Sequence, residues 1–298
     1  MEKKAEASMS VFELVKPILP TSPLDQVSDA TLARYSELIY QKTGIRVSPQ
    51  KKTLLSNRLR RRLRQTGIKD FDEYYTHLKQ LRANDPEWDA FLQEVTTHET
   101  YLFRDEVQWR WFQEFLRERE AGAEKSLRVW SAACSTGDEP VTIACCIAAC
   151  LPQFQQKKIQ ILGTDIGTGA LEQAKSGVFG DRSMRLVPED YRRRFFTKAK
   201  DAQIWQAKPM LTSMLAYRQH NLMEPLRDSL FDLVFLKNVM IYFDNASKKQ
   251  VVTNVRSMIR PGGLLVAGAA EGVADLVKDY IRLQPWLYRR PVQEGNGR

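Results

Sequence analysis

An acidic pair, Asp138 and Glu139, follows the first strand-like apolar run, Leu127–Ala132, after a short turn. Small residues separate that run from Asp138 and Glu139, and Pro140, a favoured first-turn residue, predicts that a helix begins there. In an open parallel sheet, ligands bind outside the carboxyl ends of the strands. Because this turn offers only Gly137 and no GxGxxG pattern, we expect no pyrophosphate cradle. The two carboxylates favour a cationic or hydroxyl-rich ligand instead.

A third carboxylate, that of Asp165, follows the next apolar run, Ile159–Thr164. In nucleoside-binding sheets, an acidic residue at the end of the second strand accepts hydrogen bonds from ribose hydroxyls. Taken alone, a helix N-cap is an equally good interpretation of Asp165. Together with the acidic pair before Pro140, its position favours nucleoside binding.

An amide and a phenol follow the apolar run Leu230–Leu236. Asn238 comes just after this run, and Tyr242 lies four residues further on. At the mouth of a central strand, these groups could hold a substrate beside a cofactor. The alternative is a capping asparagine and a core tyrosine.

Short β-branched runs alternate with helical patterns after about Trp130, which predicts an α/β fold with a parallel sheet covered on both faces. The predicted strands are Leu127–Ala132, Ile159–Thr164, Leu215–His220, Leu230–Leu236 and Gly263–Ala267. The predicted helices are Pro140–Cys150, Thr168–Ser176 and Ala246–Ile259. We expect Tyr280–Arg290 to add strand material.

The pattern before the sheet is helical. Residues 1–24 are expected to be a flexible lead-in, and 25–93 an all-helical domain in which Ser28, Asp29 and Asp70 could cap helices. Residues 94–292 form the predicted sheet domain, and the irregular stretch 184–214 is interpreted as an insertion.

Composition narrows the class of protein. Of 298 residues, 43% are apolar and 27% charged, which excludes a disordered or collagen-like chain. The net charge of +9 favours an acidic partner without deciding between nucleic acid, membrane and protein. The longest apolar run, 143–151, is too short to cross a bilayer, and the N-terminus lacks a signal-peptide core, so we expect a cytoplasmic protein. The four cysteines form no CxxC pair and are interpreted as buried small side chains, with no metal site.

Residues 42–64 are basic and contain no acidic residue. If the leucines of this helix face the core, then Arg58, Arg61 and Arg62 share another face. A solvated surface is the ordinary explanation for such a face, and binding to nucleic acid is the main competitor.

Several motifs, in the expected order over most of residues 26–290, resemble the bacterial chemotaxis-receptor methyltransferases of the CheR family. The similar segments are Thr96–Arg104, Ala133–Pro140, Thr164–Ile166, Leu171–Gly177, His220–Leu222 and Lys237–Phe243. The resemblance implies a Rossmann-like class I methyltransferase sheet domain, with a small all-α N-terminal domain and a small inserted β-subdomain. It also implies transfer of methyl from S-adenosylmethionine to receptor glutamates, with S-adenosylhomocysteine as product.

The resemblance assigns roles residue by residue. It implies that Arg104 and Tyr242 position the reacting groups, and that Arg58, Arg61 and Arg62 dock the acidic methylation region of the receptor's helical bundle. The implied cofactor-binding residues are His98, Thr100, Arg104, Glu139, Asp165, Asn221, Leu222, Lys237 and Asn238.

Some positions depart from the family pattern. His98 stands where Asn is common, and Lys237 where Arg is usual, which costs the guanidinium geometry. Asp138 replaces a second Glu, and Gly268–Glu271 reads Gly-Ala-Ala-Glu in place of Gly-His-Ser-Glu.

The resemblance also implies partners. We expect recruitment to membrane receptor arrays without membrane insertion, and no nucleic-acid partner. The centre of the 184–214 insertion is short and lacks glycine, which predicts independence from a receptor C-terminal pentapeptide tether. The alternatives are a methyltransferase acting on RNA or a small molecule, and a cofactor-binding scaffold without activity.

Overall fold

The computed structural model describes residues 26–120, 126–151, 153–199, 203–268 and 271–292. The predicted lead-in, 1–24, lies outside these ranges. Within them, no helix is both long and apolar enough to cross a membrane.

Four helices form the N-terminal part of the described chain: α1 (Asp29–Thr43), α2 (Lys52–Thr66), α3 (Phe71–Gln80) and α4 (Pro86–Val95). Two of the predicted caps are present, because Ser28 accepts a hydrogen bond from the Thr31 amide at the start of α1, and Asp70 accepts one from Glu73 at the start of α3. Leucine and aromatic side chains from these helices form one apolar cluster. That cluster makes the four helices a packed unit.

The remaining helices precede the first strand, as α5 does, or lie between later strands. They are α5 (Glu106–Glu120), α6 (Asp138–Cys150), α7 (Thr168–Ser176), α8 (Asp181–Met184), α9 (Glu189–Phe195), α10 (Pro209–Thr212) and α11 (Asn245–Ser257). The strands are β1 (Ser126–Ala132), β2 (Lys158–Asp165), β3 (Val178–Gly180), β4 (Phe196–Lys198), β5 (Ile204–Ala207), β6 (Leu215–Gln219), β7 (Phe231–Leu236), β8 (Ile259–Ala267), β9 (Ile281–Gln284) and β10 (Leu287–Arg289).

Seven strands form the main sheet in the order β6-β2-β1-β7-β8-β10-β9. The first five are parallel, and β10 runs antiparallel to β8 and β9. The chain builds outward from β1 through β2 to β6, then returns to β7 on the other side of β1. This reversal creates a topological switch point, where ligands bind in open α/β sheets.

The sheet is buried on both faces, as the apolar strands predict. Val129 packs in one cluster with Phe112 of α5 and Ile143 of α6, while its neighbour Trp130 packs in another with Val251 of α11. Successive side chains of a strand point to opposite faces, so β1 belongs to two cores. The predicted α/β class is confirmed.

The predicted elements match with local differences. Helix α5 was not predicted, and β8 begins at Ile259, where a helix was expected to end. The register between β7 and β8 shifts between Phe231 and Leu233, and this irregularity admits Arg260–Gly263 into the strand. The sequence suggested a turn there because Pro and Gly are rare inside regular strands.

A separate antiparallel sheet has the order β3-β5-β4. It begins at Val178, ahead of the predicted 184–214 insertion. The sequence did not indicate β3, because a three-residue strand is too short to show a hydrophobic periodicity. The four cysteines are free and buried, as predicted. Within the described ranges, no group of His, Cys, Asp and Glu side chains is arranged to hold a metal ion.

Candidate functional site

A cleft lies where the carboxyl ends of β1, β2 and β7 face the helical N-terminal part. Its sheet-side lining includes Ser135, Glu139 and Asp165, and its helical-side lining includes Lys51 and Arg58. The nine predicted cofactor-binding residues all line this one cleft, together with Tyr242. The structure therefore brings together positions that are up to 144 residues apart in sequence, from His98 to Tyr242.

The backbone around the cleft adopts unusual conformations. Of the six non-glycine residues with positive φ in the described chain, Ala133, Ser135 and Asn238 line the cleft, with φ of 63°, 51° and 58°. Phe103 and Asp105, on either side of the cleft residue Arg104, have φ of 58° and 67°. Such conformations are costly for most non-glycine residues and concentrate at functional sites.

Asp165 closes the end of β2 and organises the neighbouring loop. Its Oδ2 accepts the amide of Ser135 at 2.8 Å, and its Oδ1 accepts the amide of Gly167 at 2.9 Å. Each carboxylate oxygen can accept more than one hydrogen bond, so capacity remains for a ligand donor. Asp165 is not the N-cap of α7, which is Gly167, so the helix-cap interpretation is wrong. The carboxylate instead holds two loop amides and belongs to the cleft lining.

His98 lies beside this carboxylate. Its Nδ1 is 3.7 Å from Asp165 Oδ1, and its Nε2 is 2.8 Å from Thr96 Oγ1. Burial lowers the pKa of His98, although the adjacent Asp165 acts in the opposite direction. The imidazole is therefore held in its neutral form near pH 7.

A buried lysine lies between two acids at the other end of the cleft. Lys237 has a side chain only 1% exposed, with Nζ 3.3 Å from Asp105 Oδ2 and 3.7 Å from Glu139 Oε2. Ser131 donates a hydrogen bond to Glu139 at 2.7 Å. Burial raises the pKa of Glu139, while Lys237 opposes that change. Asp138, by contrast, is fully buried and lies outside the cleft lining.

Arg104 and Tyr101 are neighbours at the cleft. The Arg104 guanidinium carbon lies 5.6 Å from the centre of the Tyr101 ring, and Arg185, the residue after α8, approaches the same ring at 3.4 Å. The Arg104 carbonyl accepts hydrogen bonds from Trp109 and Lys237. The backbone of Arg104 is thereby fixed to the buried lysine.

Tyr242 lies where the helical part meets the sheet part. Ile45 forms a β-bridge with Phe243, and the Tyr242 carbonyl accepts the amide of Arg46 at 3.0 Å. Lys51 Nζ is 5.5 Å from the centre of the Tyr242 ring. This contact joins Tyr242 to the basic residues that precede α2.

The remaining predicted cofactor positions are half-buried or buried in the same lining. Asn221 uses its side-chain amide to contact the Lys42 carbonyl and accept the Met223 amide. Leu222 is 6% exposed. Thr100 is half-buried, and it lies in the segment that also carries His98 and Arg104.

The three predicted docking arginines differ from one another. Arg58 lines the cleft and donates hydrogen bonds to the Val95 carbonyl and to Thr97. Arg61 and Arg62 lie outside the cleft lining. The Arg62 side chain is 12% exposed and paired with Glu87, so little of its charge is available to a partner.

Three residues of the site were not predicted from the sequence. Asp105 completes the acid pair around the lysine, Ser131 donates to Glu139, and Ser135 connects Asp165 to the His98 carbonyl. The available signal for Ser131 was its position between Trp130 and Ala132 in a buried part of β1, since buried hydroxyls need partners.

Comparison with known proteins identifies the two parts of the chain. Residues 30–96 match the model described as "CheR methyltransferase, all-alpha domain", and residues 98–285 match "CheR methyltransferase, SAM binding domain". The chain is 33% identical over 258 residues to a chemotaxis protein methyltransferase of Salmonella typhimurium, covering 85% of this chain and 88% of that protein. It is 31% identical over 258 residues to that of Escherichia coli, with the same coverages.

Among solved structures, the N-methyltransferase NodS from Bradyrhizobium japonicum in complex with S-adenosylhomocysteine gives a TM-score of 0.38 at 16% identity. The alignment covers 73% of this chain and 98% of that one. The sequence matches are what define the family. The chain belongs to the CheR methyltransferase family, and residues 98–285 are its S-adenosylmethionine-binding domain.

Proposed function

We propose that this protein methylates glutamate side chains of a methyl-accepting chemotaxis receptor, giving glutamyl methyl esters during receptor adaptation. The observation that carries the proposal is the two-sided cleft. Buried hydrogen-bond acceptors on its sheet side suit a nucleoside cofactor, and lysine and arginine on its helical side suit a carboxylate substrate.

The residues of the sheet side fit S-adenosylmethionine. Asp165 has acceptor capacity for ribose hydroxyls, and the Glu139–Lys237 pair offers both signs of charge for the amino and carboxylate groups of the methionine part. Leu222 supplies an apolar surface for the adenine. When bound, the cofactor supplies an electrophilic methyl group on a sulfonium.

The reaction asks little acid–base chemistry of the protein. A glutamate side chain is already ionised at neutral pH, so its oxygen can attack the methyl carbon without a general base. The transfer would form a C–O bond as the C–S bond breaks, with S-adenosylhomocysteine as the leaving group, and would require no proton transfer by a residue of this chain. Arg104 and Tyr242 would orient the acceptor carboxylate in line with that bond while the cleft excludes water, and orientation of this kind can supply several kcal/mol.

The docking surface that we propose is the basic rim of the helical side. Lys51 and Arg58 line the cleft. Arg61 lies further along α2 and is half-exposed, although it pairs with Glu94, so its contribution is smaller. An acidic helical segment of a receptor bundle is complementary to this rim. Arg62 is not retained in the proposal because Glu87 neutralises it inside the helical part.

Two finer points belong to the same proposal. We expect the protein to work in the cytoplasm at membrane receptor arrays, where its helical substrates are. We also expect it not to need a receptor pentapeptide tether, because β4 and β5 of the small sheet are only three and four residues long.

Labelled S-adenosylmethionine tests the proposal. With receptor-rich membranes, we expect label on a membrane protein that alkali releases as methanol, the signature of a glutamyl ester. Arg104→Ala should lower turnover by at least about tenfold, and Tyr242→Phe, which removes only a hydroxyl, by less. The affinity of Tyr242→Phe for S-adenosylhomocysteine should be retained. Label on RNA, or binding without any transfer, would contradict the proposal.

A further inference from the structure

The hydrogen bonds around His98 assign its tautomer. The Thr96 hydroxyl donates to the Leu92 carbonyl at 2.6 Å, so its oxygen must accept from the Nε2–H of His98 at 2.8 Å. The proton of the neutral imidazole is then on Nε2. Nδ1 is left as a hydrogen-bond acceptor.

The Nδ1 acceptor of His98 lies next to a second acceptor, the carboxylate of Asp165. Nδ1 is 3.7 Å from Asp165 Oδ1, which is too far for a direct hydrogen bond. Both residues belong to the lining of the cleft. Two adjacent acceptors are complementary to two adjacent donors, and the vicinal 2′- and 3′-hydroxyls of a ribose are such a pair.

The imidazole has little freedom to leave this position. A Cβ added at Gly167 would lie 2.6 Å from its Cε1, so the ring packs directly on the bare backbone there. The Ser135 hydroxyl holds the His98 carbonyl at 2.8 Å, and the Ser135 amide holds Asp165. The two acceptors are therefore fixed relative to each other before any ligand binds.

We infer, on the basis of the proposed cofactor function, that neutral His98 and Asp165 together accept hydrogen bonds from the ribose diol of S-adenosylmethionine. Acid then weakens cofactor binding by protonating His98. On protonation, Nδ1 would change from a hydrogen-bond acceptor to a donor, and a ribose hydroxyl that donates to it would lose its partner. The charged ring would also lie 3.7 Å from Asp165 Oδ1 and compete with the ligand for that carboxylate.

The charged neighbours set where this change occurs. Asp165 from β2 and Glu94 from α4 favour the protonated ring, whereas Arg58 from α2 disfavours it. Burial is the largest effect and lowers the pKa of His98 below its ordinary value of 6.5. Cofactor affinity should therefore be constant above neutral pH and fall as the pH drops through the lowered pKa of His98.

Calorimetry with S-adenosylhomocysteine between pH 5 and 8 tests this linkage. We expect the affinity of the wild type to fall severalfold toward pH 5, and His98→Asn, a neutral amide that still offers an acceptor, to bind with little pH dependence. Buried Glu271, whose pKa is raised to about 7, is retained in this variant. An equal pH dependence in His98→Asn would overturn the inference.

Deoxy analogues test the contact itself. The wild type should lose affinity for both the 2′-deoxy and the 3′-deoxy analogue, and in His98→Ala one of these two losses should disappear. Nitrogen chemical shifts of the unliganded protein should show the Nε2–H tautomer. Unchanged losses in His98→Ala would refute the contact. Absence of binding to wild type at every pH would instead contradict the proposed function.

Discussion

The sheet side and the helical side of the cleft, here called its sheet wall and its helical wall, differ in burial and in the number of partners that hold their charged groups. On the sheet wall, Asp165 is 6% exposed and the Lys237 side chain 1%, and each is held by several partners. On the helical wall, Leu54 is 44% exposed, the Arg46 side chain 58%, and Lys51 is exposed as well. One wall is fixed and buried, and the other is open and charged.

This difference separates two kinds of recognition. Buried, preorganised groups hold a small ligand in one geometry, which a methyl donor requires. Exposed charges guide a large partner that must arrive and leave, and they act over longer distances with less geometric precision. We therefore expect mutations in the sheet wall to change folding and cofactor affinity, and mutations in the helical wall to change the use of the acceptor.

The largest effect is expected at Lys237. Lys237→Met leaves Glu139 and Asp105 without their cation and should lower the free energy of unfolding by about 3–5 kcal/mol. The loss should be larger at pH 8 than at pH 5, because the raised pKa of Glu139 lets it take up a proton in acid. Urea unfolding followed by circular dichroism measures both.

Lys237→Arg is the matched control for this change. It keeps the positive charge and should lose much less stability than the methionine variant. Equal stability of Lys237→Met and wild type would show that charge pairing does not hold this wall together.

Two adjacent arginines of α2 provide a smaller, paired test. Arg62→Ala removes the partner of Glu87, which then keeps only the Tyr74 hydroxyl at 2.6 Å, and should cost about 2 kcal/mol of unfolding free energy. Arg61→Ala breaks a half-exposed pair with Glu94 and should cost less than about 1 kcal/mol. Thermal melts of the two variants measure the difference. The reverse order would contradict the structural role of Arg62.

The smallest effect is expected on the helical wall. Lys51→Glu should raise the KM for a receptor substrate about tenfold at low salt, with a smaller rise at high salt because screening weakens exposed charges. Lys69→Glu, at another exposed lysine outside the cleft lining, is the control and should leave KM unchanged. Equal KM values for Lys51→Glu and wild type would remove Lys51 from the docking surface.

The sequence predicted the sheet wall better than the helical wall. The carboxyl ends of parallel strands share one edge, so Asp165 and Asn238 could be brought together from strand order alone. The docking face of α2 was predicted from helical periodicity, which does not reveal what covers a face. Helix α4 packs against α2 and carries Glu87 and Glu94, and these carboxylates pair with Arg62 and Arg61.

Local sequence patterns could not predict contacts between segments that are distant in the chain. Asp105 meets Lys237 only because the chain turns with positive φ at Phe103 and Asp105, at residues with no glycine to signal it. Helix α5 was missed although its Trp109 and Phe112 are buried at helical spacing. Its surrounding charges made the segment look polar.

The central claim is that the sheet wall binds the cofactor and the helical wall does not. Calorimetry with S-adenosylhomocysteine on wild type, Asp165→Asn and Lys51→Glu tests it most directly. We predict that Asp165→Asn weakens binding by about 10- to 100-fold, the value of a hydrogen bond to a charged group, while Lys51→Glu stays within about twofold of wild type. Tight binding by Asp165→Asn, or no binding by folded wild type, would contradict the account.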